Sequence, residues 1–135
     1  MLENRIIMNK LVIDVASKKI FLMVITKDDI YNITKENTKI NYEKLTLIVK
    51  DFLYSNSLKL KDISKIYVNR GPGSFAGIRS ALSLVKAFYI ARNIDYYCYS
   101  LKDFKDQKDV KYEDIPNLCD KFKFKKNLIK PIYLS

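Results

Sequence analysis

Gly71-Pro72-Gly73-Ser74-Phe75-Ala76-Gly77-Ile78-Arg79 is the stretch on which the reading of this 135-residue chain turns. Two glycines flank a proline, a combination that lets the backbone turn sharply. Ahead of it, residues 63–69 (ISKIYVN) read as a strand. Behind it, residues 74–92 hold no proline and no glycine except Gly77, enough for about five helical turns. Ser74 is placed to cap that helix, whose first N–H groups suit an anion. Arg79 falls in the second turn, where a guanidinium can hold phosphate or carboxylate through two parallel bonds. Two readings stay open: an anion or nucleotide site built on Gly71, Gly73, Ser74 and Arg79, or a tight strand-to-helix turn with a capped helix. A Walker P-loop is excluded because no Gly-Lys-Ser/Thr follows, and a Rossmann fingerprint because its glycine spacing is absent.

Upstream, residues 10–15 (KLVIDV), 20–26 (IFLMVIT) and 29–34 (DIYNIT) read as three strands of an antiparallel meander, the first interrupted by Asp14. The period then changes. Leu45, Ile48, Val49, Phe52 and Leu53 form one helical stripe across residues 42–55, with Asn41 as the expected N-cap. Downstream, residues 94–99 read as a further strand, and Ser100 caps a short helix from Leu101. The order strand-strand-strand-helix-strand-helix-strand predicts an α/β fold with a mixed five-stranded sheet, its later strands parallel and joined by helical crossovers. Residues 105–126, with Pro116 and the paired Lys125-Lys126, read as loop; apolar character returns at residues 128–134. Met8 precedes the first strand, which marks residues 1–7 as a dispensable extension.

Composition narrows the chemistry. No histidine occurs, which removes the commonest general base and all His-containing triads and zinc sites. Cys98 and Cys119 lack CxxC spacing and read as free thiols of a reducing compartment. The longest apolar run, residues 20–25, is far short of the ~20 residues that span a bilayer. With no signal-peptide pattern at the start, a cytoplasmic location is expected. The net charge of +10 comes with a hydrophobic content of 48%, too apolar for a disordered basic tail. Only Arg5, Arg70, Arg79 and Arg92 are arginines, and the lysine excess is also what an AT-rich genome yields. Lys102, Lys105, Lys108, Lys111 and Lys121, Lys123, Lys125, Lys126 alternate with Phe104, Tyr112, Phe122 and Phe124. Such a run suits a phosphate backbone or, more blandly, a solvated face.

Residues 81–91 (ALSLVKAFYIA) have Ser83 and Lys86 as their clearly polar members, so this helix is apolar nearly all round and needs cover on two sides. One stripe holds Ile78, Leu82, Val85 and Tyr89, the other Ala81, Leu84, Phe88 and Ala91. One side meets the sheet; the other meets a partner or the 42–55 helix, which shows Leu47 and Tyr54 off its own stripe. The partner reading makes Ile78, Ala81, Leu82, Leu84, Val85, Phe88, Leu47 and Tyr54 the candidate interface.

Residues 66–80 (IYVNRGPGSFAGIRS) resemble the signature of the TsaB family, also called YeaZ, usually close to GxGPGSFTGLR. Residues 11–17 (LVIDVAS) resemble its opening strand LxIDTS. Residues 87–101 resemble its helix end, next strand and following Ser-Leu, and residues 131–134 (PIYL) its closing PxYLR. Ala76 replaces the usual threonine and Val15-Ala16 the usual Thr-Ser, each losing a hydroxyl. The resemblance implies one lobe of an actin-like ATPase (ribonuclease H-like) fold in a shortened form, with the second lobe largely missing. Residues 1–104 are then the lobe, and 105–135 a remnant of the second lobe or a tail. It further implies a non-catalytic scaffold that pairs with TsaD in forming threonylcarbamoyladenosine in tRNAs reading codons that start with A. A TsaE-like ATPase joins the assembly, tRNA is reached through the complex, and a homodimer forms when TsaD is absent. The missing histidines agree, since TsaD carries the metal-binding pair. No catalytic residue, metal or cofactor is expected, apart from weak ATP or Mg binding where Asp14, at the end of the first strand, faces the glycine turn. The alternatives are a small basic RNA-binding accessory protein or a nucleotide-binding relic of the superfamily. A sugar-kinase-type phosphotransferase needs a base and a second lobe, for which the chain has little room.

Overall fold

The computed structural model describes residues 8–133; the extension at residues 1–7 and Leu134 of the closing motif lie outside them. The meander forms as expected: β1 (Asn9–Asp14), β2 (Lys19–Ile25) and β3 (Ile30–Glu36), each antiparallel to the next. β4 (Ile63–Asn69) adds parallel to β1 on its other side, and β5 (Asp95–Tyr99) parallel to β4. The sheet order is therefore β3-β2-β1-β4-β5, a mixed five-stranded sheet.

Side chains alternate across each strand, so each strand feeds two cores. Leu11, Ile13, Leu22, Val24, Ile66 and Val68 face the helical side. Val12, Met23, Tyr67 and Tyr99 face the other. On the helical side lie α2 (Leu45–Ser55), which buries Leu45, Ile48, Val49, Phe52 and Leu53, and α3 (Phe75–Arg92). The other side is closed by residues C-terminal to β5, through buried Phe104, Ile115 and Cys119. The outer edge of β5 is covered too. Asn127 pairs with Tyr96 in both directions, its backbone N–H donating at 2.7 Å and its side-chain oxygen accepting at 2.9 Å.

Two expectations differ from the structure. The helix read over residues 42–55 is split into α1 (Lys39–Tyr42) and α2, and Thr38 rather than Asn41 caps the first piece. The Tyr42 carbonyl accepts from the Ser80 hydroxyl of α3 at 2.6 Å, a partner outside the helix ladder at the point where the chain breaks. The Asn41 side chain instead donates to the Glu36 carbonyl. Second, residues 115–121, read as loop, form α4 (Ile115–Lys121). Pro116 sits in its first turn, where the missing N–H costs nothing, so it starts the helix and does not break it.

Candidate functional site

The strand-to-helix turn is closed by the chain's own backbone. A Cβ at Gly73 would lie 2.1 Å from the Ala16 carbonyl oxygen, and one at Gly77 2.1 Å from that of Val15. A Cβ at Gly71, whose φ is +110°, would lie 2.0 Å from the Ile132 carbonyl oxygen. These are all the glycines the chain has. Each is spent where another backbone segment comes too close for any side chain. The Ser74 N–H donates to the Ala16 carbonyl at 2.9 Å, and the Ser74 hydroxyl caps α3 by accepting from Gly77 N–H at 3.2 Å. The turn is thus clamped between the β1–β2 connection on one side and the C-terminal segment on the other.

Asp14 ends β1 beside this turn, buried, with both carboxylate oxygens engaged. Oδ1 accepts from the Ala16 N–H at 2.9 Å; Oδ2 accepts from Asn69 Nδ2 at 3.0 Å and from the Tyr112 hydroxyl at 2.8 Å. Asn69 completes the chain by accepting the Gly71 N–H on its own Oδ1 at 2.8 Å. Burial, the Asp14 charge and the bond to it hold the Tyr112 phenol well above its ordinary value. Its ring stacks on Phe21 at 3.9 Å. A short polar chain therefore runs Tyr112–Asp14–Asn69–Gly71 and sets the position of the turn. Charged hydrogen bonds of this kind contribute about 1.5–3 kcal/mol each when buried.

Of the residues expected at an anion site, Asp14, Gly71, Gly73 and Ser74 lie around one turn, linked through Ala16 and Asn69, which bond Asp14 on one side and Ser74 or Gly71 on the other. Arg79 stands apart, exposed along a shallow cleft with Tyr42, Glu43, Phe75, Ala76, Ser80 and Ser83. Among the described residues no group of three or more His, Cys, Asp or Glu side chains is placed to hold a metal.

The candidate interface needs correction. Ile78, Ala81, Leu82, Leu84, Val85 and Phe88 are all buried in the core of this chain. Both stripes of α3 are covered from within over most of their length, because α2 packs beside it and the two share the sheet face; Tyr89 and Ala91 near its C-terminal end stay exposed. Leu47 and Tyr54 are the two of the eight that remain on the surface, 56% and 77% exposed. The aromatic residues of the C-terminal stretch turn inward in the same way. Phe104 is buried, Tyr112 is held by Asp14, Phe124 is half-buried against Phe104, and Phe122 alone is largely exposed.

The partners of Asp14 were missed by sequence reasoning. Asn69 is polar at the end of an apolar strand, a signal that was there to use. Tyr112 lies 98 residues away in sequence with nothing to point to it.

Comparison with known proteins follows the same turn. A family model described as TsaD, tRNA N6-adenosine threonylcarbamoyltransferase, matches residues 36–100. Two curated relatives are each named tRNA threonylcarbamoyladenosine biosynthesis protein TsaB. That of Buchnera aphidicola subsp. Baizongia pistaciae (strain Bp) is 28% identical over 86 residues, covering 64% of this chain and 39% of its own. That of Buchnera aphidicola subsp. Schizaphis graminum (strain Sg) is 26% identical over 98 residues, covering 73% and 47%. Among solved structures, YeaZ from Pseudomonas aeruginosa superposes with a TM-score of 0.64 at 20% identity, over 69% of this chain and 44% of that one. The chain is similar to proteins of the TsaB/YeaZ family.

It spans less than half the length of the TsaB relatives it matches. The fold it shares with YeaZ is the actin-like, ribonuclease H-like sheet with its helices. In the stretch that resembles the TsaB/YeaZ signature, the glycines admit carbonyls and the serine caps a helix. The two thiols are free and buried. Burial pushes Cys98 up to about 11 and, with the Asp120 and Asp103 charges, Cys119 up to about 12. Among the described residues no helix is long and apolar enough to cross a membrane.

Proposed function

We propose that this chain is a non-catalytic scaffold subunit that pairs with a TsaD-like protein in forming threonylcarbamoyladenosine in tRNAs reading codons that start with A. The observation that carries this reading is the kinship with proteins named for that biosynthesis, which covers up to 73% of the chain. Supporting it, both carboxylate oxygens of Asp14 are engaged within the chain and the three glycines face backbone carbonyls, which suits a scaffold working without ATP or Mg of its own. In this reading the described residues after 104 serve as the cover of the lobe before them, and a TsaE-like ATPase and tRNA join through the complex in the cytoplasm. The pairing face is the outer side of α1, α2 and α3. It holds a shallow groove of about 240 Å³ floored by Thr46, Ser80, Ser83 and Ala87. Exposed Leu47 lies on the same helix pair. Without TsaD, the same face serves a homodimer.

Co-expression with the TsaD of the same genome tests it. A stable heteromer in size-exclusion chromatography is expected, and Leu47→Glu together with Ala87→Glu is expected to dissolve it while leaving the melting temperature unchanged. Separate elution of the wild-type chains would sink the reading.

A further inference from the structure

The end of the sheet opposite the glycine turn carries a different chemistry. β1, β4 and β5 are parallel and start there, so α2 and α3, which return the chain to those starts, end there. Three segments converge: the C-terminal half of α2, the short 3-10 turn Leu60–Asp62 with the residues before it, and Arg92 at the end of α3. Together they line a cleft of about 340 Å³ with Lys50, Lys59, Lys61 and Arg92 as cations and Asp51 as the one acid. Its walls are Tyr54, Leu58 and Leu60. The ion pairs among the described residues join Lys19 to Glu36, Arg70 to Asp103 and Lys126 to Asp95, so none engages these four cations. Nearby Asp62 is turned to a backbone task, accepting the Lys59 N–H at 2.8 Å. Tyr54 is the most exposed large hydrophobic side chain among the described residues, at 77%.

Four unneutralised cations around one exposed aromatic ring is the composition of grooves that bind nucleic acid strands. The cations track phosphates, and the ring takes the face of an unpaired base. A duplex hides its base faces, so the ring specifies a single strand. An acidic peptide satisfies the lysines but leaves the ring without a role. The lysine run at residues 121–126 is less suited, because two of the three aromatics nearest it, Phe104 and Phe124, are packed inward against each other.

We propose that this cleft binds single-stranded nucleic acid, with a base stacked on Tyr54 and the flanking phosphates held by Lys50, Lys59, Lys61 and Arg92. This goes beyond the pairing reading, which asks for no nucleic-acid contact by this chain, and it is testable on the chain alone.

Fluorescence anisotropy with labelled RNA and DNA strands of about 12 nucleotides, a length on the scale of one strand-binding site, reads it directly. Four phosphate contacts predict that log affinity falls against log salt with a slope of about −2.8. Lys59→Ala with Lys61→Ala is expected to halve that slope to about −1.4. Tyr54→Ala is expected to weaken binding roughly tenfold or more with little change in slope. Replacing Lys121, Lys123 and Lys125 by alanine is expected to leave both quantities as they were. Binding of either strand supports the proposal, and the RNA-to-DNA ratio assigns the source of the ligand. The altered residues are exposed, so unchanged melting curves confirm that each variant folds. Three outcomes would overturn the proposal: no binding, binding indifferent to Tyr54 and the lysine pair, or displacement of the strand by polyglutamate as readily as by unlabelled RNA.

Discussion

The two ends of the sheet in this molecule are built on opposite terms. At one end backbone meets backbone: the carbonyls of Val15, Ala16 and Ile132 press onto the three glycines, and the nearby charge of Asp14 is enclosed by three hydrogen bonds. At the other end side chains point outward, and Lys50, Lys59, Lys61 and Arg92 surround an open cleft. In parallel sheets ligands commonly sit beyond the carboxyl ends of the strands, and the glycine turn marks that end here. Yet there the glycines and Asp14 are engaged by the chain itself, while a cleft with four cations opens at the amino end. A motif with the look of a cradle is therefore informative only together with what its glycines face, and here they face the chain's own carbonyls.

The largest expected effect breaks the glycine end. Gly73→Ala places a methyl group 2.1 Å from the Ala16 oxygen, and Gly71→Ala adds an unfavourable φ of +110° to a similar clash with Ile132. Each is expected to lower stability by about 3 kcal/mol, as overpacking against unyielding backbone does, read from urea unfolding. Gly77→Ala gives a test of sign. Inside an ordinary helix this change stabilises by roughly 0.5–1 kcal/mol, and here the Val15 oxygen at 2.1 Å is expected to reverse it. If all three variants are as stable as the parent, the turn is loose and free to admit a ligand.

Asp14→Ala comes next. It leaves the Asn69 amide and the Tyr112 hydroxyl without an acceptor, and a loss of about 2–3 kcal/mol is expected. A nucleotide-binding Asp14 behaves the other way: calorimetry with Mg-ATP shows heat for the parent and none for the variant, while stability barely moves.

How much of this was legible follows the same divide. The strands, their order and α3 with its Ser74 cap were readable because alternation, helical period and the Gly-Pro-Gly break are local signals. The three carbonyls on the glycines were not, since Ile132 reaches Gly71 across some sixty residues of chain. Nor was the fate of Leu84 and Phe88. An all-round apolar helix demands two covers, and only the tertiary structure shows that α2 supplies the second. α4 was hidden by Pro116, which signals a helix start as readily as a break.

Alkaline pH separates the ends by titration. Cys98 lies opposite Val68, one position before the Asn69 that anchors the turn, and burial holds its thiol up to about 11 against an ordinary 9.0. Cys119 is pushed up to about 12. The unfolded chain releases these protons first and so binds fewer than the native chain at the same pH. Their contribution is therefore full below the ordinary thiol range and is lost as pH rises through about 11 and 12. Melting temperature is expected to drop by several degrees across that window. Thiol reagents at neutral pH are expected to react only after unfolding. Rapid modification of the native chain would show that the fold opens around the thiols.

At the cationic end glycine is missing where it would help. Ser57 follows α2 with φ of 62° and donates its N–H to the Tyr54 carbonyl, while the Leu58 N–H reaches back to Leu53, a helix stop that favours glycine. Ser57→Gly is expected to add about 1 kcal/mol, the reverse of the glycine losses at the other end.

The smallest effect is the one that defines the open end. Lys59→Ala, Lys61→Ala and Arg92→Ala together remove three cations that no acid in the described chain engages. Exposed charges without partners contribute little to folding, so the change in unfolding free energy is expected within about 0.5 kcal/mol of zero. A slight gain is the expected direction, because the three repel one another and the chain carries a net +10. A large loss would mean that these side chains hold the α2–β4 connection in place, and that the open end is structural after all. A flat response leaves these three cations maintained at no benefit to the fold, which directs attention to what they bind.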